Sequence, residues 1–173
     1  MIQFQYTLAQ VHDREQWDSF VSACGHLLQS WEWGELKAGY GWYPLRLALW
    51  DEGGNRIVAA AQALRRAPAH MPPRLGNLAY IPRGPMLGRS FETPGESGAG
   101  LLYQAFYTQL LAALYNKGAL AVQVELPQVM ESEGGVQEQA SPEASQVVHS
   151  LKAMGFHAIR PVQPLRSILL DLT

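Results

Sequence analysis

Cysteine is almost missing: Cys24 is alone among 173 residues, which leaves no internal disulfide to form and points to a reducing, cytoplasmic setting. Charge is scarce too. Asp, Glu, Lys and Arg make up 16% of the chain, against about 25% in an average protein, and with 47% apolar residues this excludes a disordered or solvating tail. No apolar run reaches the roughly 18 residues that a membrane helix requires. The stretch from Met1 to Trp17 has neither the basic start nor the apolar block of a secretory signal. His12, His26, His70, His149 and His157 are scattered without ligand-like spacing, so no metal site is expected. Thirteen basic and fifteen acidic residues give a net charge of −2, a total that does not favour nucleic acid. The length suits one domain with a core large enough to need neither disulfide nor metal.

What is present is unevenly placed. Residues 56–90 hold six arginines (Arg56, Arg65, Arg66, Arg74, Arg83, Arg89) and no acid, whereas residues 92–143 hold seven glutamates and one base, Lys117. A locally cationic segment in a weakly acidic chain suits a phosphate-bearing ligand, or else a solvated face.

Pattern and punctuation predict the elements. Asp13 to Cys24 reads as a helix with Asp13 as N-cap, and Ser30 caps a second helix, Trp31 to Gly39, that Gly41 stops. Leu45–Trp50 and Ile57–Leu64 form a hairpin around the turn at residues 51–55. A Pro-punctuated loop, 67–76, leads to a strand at 78–82 and a bend at Arg83-Gly84-Pro85. After a Gly-rich loop at 90–100, Leu102, Phe106, Leu110, Ala113 and Leu114 mark an amphipathic helix over 101–117, closed by Gly118. Leu120 to Leu126 reads as a buried strand ended by Pro127, Glu143 to Met154 as a helix closed by Gly155, and Ile168, Leu170 and Leu172 as one face of a last strand. The order implies an α+β domain, with the hairpin beside strand 78–82, a mixed, mostly antiparallel sheet, and helices on both faces.

Three segments carry a resemblance. Leu28-Gln29-Ser30-Trp31-Glu32-Trp33-Gly34-Glu35-Leu36-Lys37, Tyr80-Ile81-Pro82-Arg83-Gly84-Pro85 and Gln163-Pro164-Leu165-Arg166-Ser167-Ile168-Leu169-Leu170-Asp171-Leu172 resemble, in order, the N-terminal signature, the strand-and-bend motif and the interdomain segment of the Fem (FemABX) family. The family comprises aminoacyltransferases that build peptidoglycan interpeptide bridges. The resemblance implies a Gcn5-type N-acetyltransferase-like fold, present twice in full-length members. Residues 1–160 correspond to the first copy and residues 161–173 to a linker strand leading towards a second. It further implies aminoacyl-tRNA as donor, an amine of a UDP-linked or lipid-linked peptidoglycan precursor as acceptor, and no cofactor or metal.

Carried over residue by residue, Lys37 resembles the lysine that meets the precursor's pyrophosphate; the alternative is a surface lysine favoured by a helix C-terminus. Arg83 matches a basic residue before Gly-Pro and either serves the same anion or braces the bend. Trp33 and Trp42, in a cluster with Trp31 and Tyr40, either stack a uracil or sugar or plug the core. Glu125 matches the acid ending a family strand, where a carboxylate would help orient or deprotonate the attacking amine. The family places that acid directly before proline, however, and here Leu126 intervenes. Cys24 reads as an inert packed residue.

Three functions compete: the precursor-binding half of a tRNA-dependent aminoacyltransferase, inactive by itself; a non-catalytic interaction module of the same fold; and a coenzyme-A-dependent acyltransferase. The last is opposed by the lack of an Arg/Gln-x-x-Gly-x-Gly/Ala loop. An exposed edge on the strand from Arg166 to Leu172 would let two chains dimerise.

Overall fold

A computed structural model describes residues 6–51, 53–88, 98–126 and 142–159. The chain order is β1 (Thr7–Gln10), α1 (Arg14–Cys24), a 3-10 turn (Leu27–Gln29), α2 (Trp31–Ala38), β2 (Tyr43–Trp50), β3 (Ile57–Arg66), β4 (Asn77–Ile81), β5 (Met86–Leu87), α3 (Gly98–Asn116), β6 (Ala119–Val124) and α4 (Pro142–Ala153). The sheet runs β1-β2-β3-β4-β6, with β5 also on β3. Every pairing is antiparallel except β4 with β6. The parallel pair needs a crossover, and α3 supplies it.

The predicted caps are present. Asp13 accepts from the Gln16 N–H and Ser30 from the Trp33 N–H, each satisfying an orphan donor of the first turn. Gly118, at φ 84°, lets α3 turn straight into β6, a conformation that costs a residue with a side chain.

Strand parity then sorts the side chains. Leu45, Leu47, Ala61, Ala63, Ala79 and Ile81 face α3 and α4, where Leu102, Phe106, Leu110 and Leu114 are buried. Ala48 and Ala60 face the other way, against Trp17, Val21 and Met86. Helices therefore cover both faces, and helix 101–117 lies where its apolar stripe requires.

A second, polar contact organises the α1–α2 side. β3 pairs with β5 at Ala59 and Ala60 and with β4 from Leu64 onward, so its edge at Gln62 has no strand beside it. The buried side chain of Gln29 fills that gap. Its Oε1 accepts from the Gln62 N–H at 2.7 Å, and its Nε2 donates to the Pro82 carbonyl at 2.5 Å. The Gln29 carbonyl accepts from the Trp17 indole at 2.8 Å. Gly34 completes the fit, because a Cβ there would come within 2.3 Å of both the Arg46 guanidinium and the Gln62 amide.

Three expectations need correction. β1 and β5 were not foreseen: four residues and two residues are too short to carry a periodicity. The helix α3 begins at Gly98, inside the expected Gly-rich loop. The strand read as buried is an edge strand, with Leu120 77% exposed, because β6 pairs only with β4 among the described residues. The last strand, the linker 161–173 and the dimer edge lie outside the described residues.

Replacing Phe106 by alanine is expected to cost about 3–5 kcal/mol, the range for emptying a fully buried ring site. Gln29→Met keeps the volume but strands the Gln62 N–H and the Pro82 carbonyl. At about 1–3 kcal/mol for each buried unsatisfied group, the loss should be about 3 kcal/mol. Urea unfolding of both variants against the parent reads these directly.

Candidate functional site

Helix α2 packs on β2 and β3 and α1 on β5, and beyond α2 lie buried Tyr80 of β4 and, opposite it, half-buried Gln123 of β6. The candidate residues gather there. Lys37, on the last turn of α2, holds its ammonium 4.7 Å above the Trp33 ring. Its carbonyl accepts the Trp42 N–H at 3.2 Å, which folds Trp42 back against the helix end. The Trp42 ring is 6.5 Å from that of Tyr80. Tyr80 in turn donates from its phenol to Glu125 Oε2 at 2.5 Å.

The result is a line of contacts from Trp33 and Lys37 through Trp42 and Tyr80 to Glu125. Lys37 reaches it at the Trp42 end and Arg83 at the Glu125 end. Arg83 has a positive φ of 49°. Next to it the Gly84 N–H donates to the Glu125 carbonyl at 2.9 Å, while the Glu125 N–H donates to Ile81 at 2.9 Å. The backbone of Glu125 is thus pinned on two sides although the strand proper ends at Val124. Burial, and after it the Arg83 charge, pull the His26 pKa below its ordinary value, and a Cβ on Gly84, next to Arg83, would come within 3.0 Å of the Gln29 amide.

Sequence reasoning named Lys37, Arg83, Trp33, Trp42 and Glu125 and missed two partners. Tyr80 links the aromatic pair to the carboxylate. Arg66, the last residue of β3, holds its guanidinium 5.4 Å from the Trp42 ring. The signal for Tyr80 was its place in the strand-and-bend motif, whereas Arg66 carried only the charge skew. Trp31, expected in the same aromatic cluster, instead stacks 3.6 Å from the Arg46 guanidinium. That cation is buried, donates to Glu35 at 2.9 Å and to the Trp31 carbonyl at 3.0 Å, and belongs to the scaffold. Tyr40 is exposed. Cys24 donates to the Phe20 carbonyl.

Beside β6 lies a cavity of about 770 Å³, floored by the strand and walled by α4 and residues 154–159. Arg83, Gln123 and Glu125 supply polar groups at one part of its lining, and Val122, Leu151 and Phe156 apolar ones. Glu125 therefore faces both the aromatic line and this cavity. Among the described residues no group of three or more His, Cys, Asp or Glu is placed to hold a metal, and no helix is long and apolar enough to cross a membrane.

Chemically, two cations poised over indole rings, Lys37 and Arg66, can meet an anion without giving up an ion pair. Neither is bridged to a carboxylate among the described residues. The phenol–carboxylate pair fixes one acceptor at the far end of the line.

Solved structures share this fold. The crystal structure of FemX matches with a TM-score of 0.58 at 21% identity, covering 85% of this chain but 31% of that one, so the chain spans about a third of FemX. An acetyltransferase of Trypanosoma brucei matches with a TM-score of 0.54 at 16% identity, covering 97% and 100% of the two chains. Glucosamine-6-phosphate N-acetyltransferase of Arabidopsis thaliana follows with 0.51 at 12% identity, covering 94% and 99%. These establish an N-acetyltransferase-like fold. No curated protein matches the sequence. The family model described as the FemAB family matches residues 13–159, a span that contains both the Gln29–Lys37 segment and the Tyr80–Pro85 bend, and the chain belongs to the FemAB family.

Proposed function

We propose that this domain is the precursor-binding half of a tRNA-dependent aminoacyltransferase, which adds an amino acid to the stem peptide of a peptidoglycan precursor. The observation that carries the proposal is the line from Lys37 through Trp42 and Tyr80 to Glu125, in a chain that the FemAB family model matches over most of its length. Lys37 would donate to the precursor's phosphates as a compact point charge, with Trp33 or Trp42 under a uracil or sugar face. Arg83 would serve the same ligand from the Glu125 side.

The chemistry asked of such a site is modest. An aminoacyl ester is already activated. The neutral amine attacks its carbonyl carbon, the tetrahedral intermediate collapses, the ester C–O bond breaks, and the ribose hydroxyl leaves with a proton. An ammonium cannot attack, so a carboxylate near the amine helps by holding it and accepting its proton. Glu125, fixed by Tyr80, is the candidate. Most of the rate advantage comes from holding amine and ester together, where effective molarities reach about 10⁵ M or more. A domain that holds only the amine forgoes it. The donor tRNA is assigned to a second domain, with residues 161–173 as the connection.

A non-catalytic module of the same fold is the second reading, favoured by Leu126 standing between Glu125 and Pro127. The two differ in what Glu125 does once a second domain is supplied.

Titration of the chain with a uridine-diphosphate-linked muropeptide should show binding that weakens about tenfold in Lys37→Ala, as expected for one charge-assisted contact, and that weakens with added salt. Equal binding by parent and variant would remove Lys37 from the site. Incubated with aminoacyl-tRNA and the muropeptide, the chain alone should yield no extended peptide by mass spectrometry. Turnover at the rate of a two-domain enzyme would overturn the half-enzyme reading, as would failure to bind the precursor at all.

A further inference from the structure

At one end of the sheet the connection from β3 to β4 meets the junction from α3 into β6. β3 ends and β4 begins there, with Arg66 opposite Leu78. Because β6 runs parallel to β4, with Ala119 opposite Asn77, the junction from α3 into β6 arrives at the same end. Buried Asn77 ties these pieces together, its Nδ2 donating to the Pro73 carbonyl at 2.6 Å and to the Lys117 carbonyl at 2.9 Å. Gly118 sits so close to the backbone of Arg74 that a Cβ would come within 2.5 Å of it. The loop 67–76 is therefore clamped onto the end of α3. Pro68, Pro72 and Pro73 stiffen it, as do hydrogen bonds from the Met71 N–H to Pro68 and from the Leu75 N–H to Pro72.

This held surface is cationic. Arg66, Arg74 and Lys117 are exposed and make no ion pair among the described residues. No Asp or Glu occurs in residues 57–91 or 97–124, so the elements that meet here carry no compensating charge. The surface is also apolar. Met71 is 41% exposed, Leu75 68%, and Tyr115 and Leu120 77% each. Met71 and Leu120 both lie against Gly76, Tyr115 and Leu120 line the same cavity, and Leu75 precedes Gly76 in the chain, so these apolar side chains are gathered at one end of the sheet.

We propose that this end of the domain docks on an anionic lipid bilayer. Exposed leucine and tyrosine mixed with arginine and lysine is the composition of a surface that sinks apolar groups about 5–10 Å into the headgroup boundary and leaves its cations among the phosphates. An RNA backbone would use the cations but would leave Leu75 and Leu120 in water. The clamp strengthens the assignment, since a loop already ordered loses little entropy on docking. This inference goes beyond the reading above and does not rest on it, because bilayer binding requires neither donor nor acceptor.

The test is co-sedimentation of the full chain with vesicles of phosphatidylglycerol and phosphatidylcholine in equal parts, and with vesicles of phosphatidylcholine alone. Binding to the anionic vesicles should exceed binding to the neutral ones at least tenfold. Arg74→Ser with Lys117→Ser should lower it about 25-fold, at roughly fivefold for each charge at an anionic surface. Leu75→Ser with Leu120→Ser should lower it at least tenfold through lost apolar burial. All four positions are solvent-facing, and circular dichroism of both variants should match the parent. Absence of binding to anionic vesicles, or equal binding by the parent and the two variants, would overturn the proposal. So would a parent that ignores vesicles but binds tRNA with the same loss in the charge variant, which would make the surface an RNA site.

Discussion

The side-chain amide of Gln29 is the contact on which the rest of the architecture turns. An amide is a copy of the peptide group, with one strong acceptor and a donor set apart from it. Placed at the point where β3 has lost β5 and not yet met β4, it does what a neighbouring strand would do, accepting from Gln62 and reaching across to Pro82. The break in the ladder is what allows β4 to leave the sheet through the Arg83-Gly84-Pro85 bend without abandoning buried backbone groups. Trp17 and Gly34 serve the same arrangement, one bonding the Gln29 carbonyl and the other letting α2 settle on Arg46 and Gln62.

That arrangement also sets the candidate site. Because α2 is seated by Gly34 and capped by Ser30, it presents Trp33 from its first turn under the ammonium of Lys37 from its last, beside the chain reversal that carries Trp42. Because the bend is anchored, Gly84 can bond Glu125, and Tyr80 one strand over can bond its carboxylate. Groups far apart in sequence, at 37, 42, 80 and 125, are thus placed by a few constraints, some made by the scaffold and some, like the Tyr80–Glu125 bond, by the site residues themselves.

The parts of this that were legible in the sequence are those with a local cause. Asp13 and Ser30 announced their helices, Gly118 announced the exit from α3, and the stripe from Leu102 to Leu114 announced the face that is buried. The family resemblance pointed to Gln29, Gly34, Tyr80 and Pro82, but their physical reasons are long-range contacts, Gln29 with Gln62 and Pro82, Gly34 with Arg46 and Gln62, and Tyr80 with Glu125, which no periodicity can display. The same limit explains the misread strand. Leu120 to Leu126 is apolar enough to pass for a strand buried on both sides, and only the pairing pattern shows that one side has no described neighbour. Arg66 was visible as charge and invisible as a partner of Trp42, because its strand register decides what it meets.

A second glutamine repeats the chemistry at the sheet's opposite margin. Gln109 of α3 accepts from the Leu8 N–H at 3.2 Å and donates towards the Tyr6 carbonyl at 3.4 Å, so two backbone groups along this margin are satisfied from within the molecule. An outer strand is ordinarily the place where one sheet recruits another, and here that margin is plugged by a residue of the molecule's own helix. Among the described residues the unplugged margin is β6. Among the described residues the Leu8 side of the sheet is therefore partly closed by the molecule's own helix, and the side next to β6 is not.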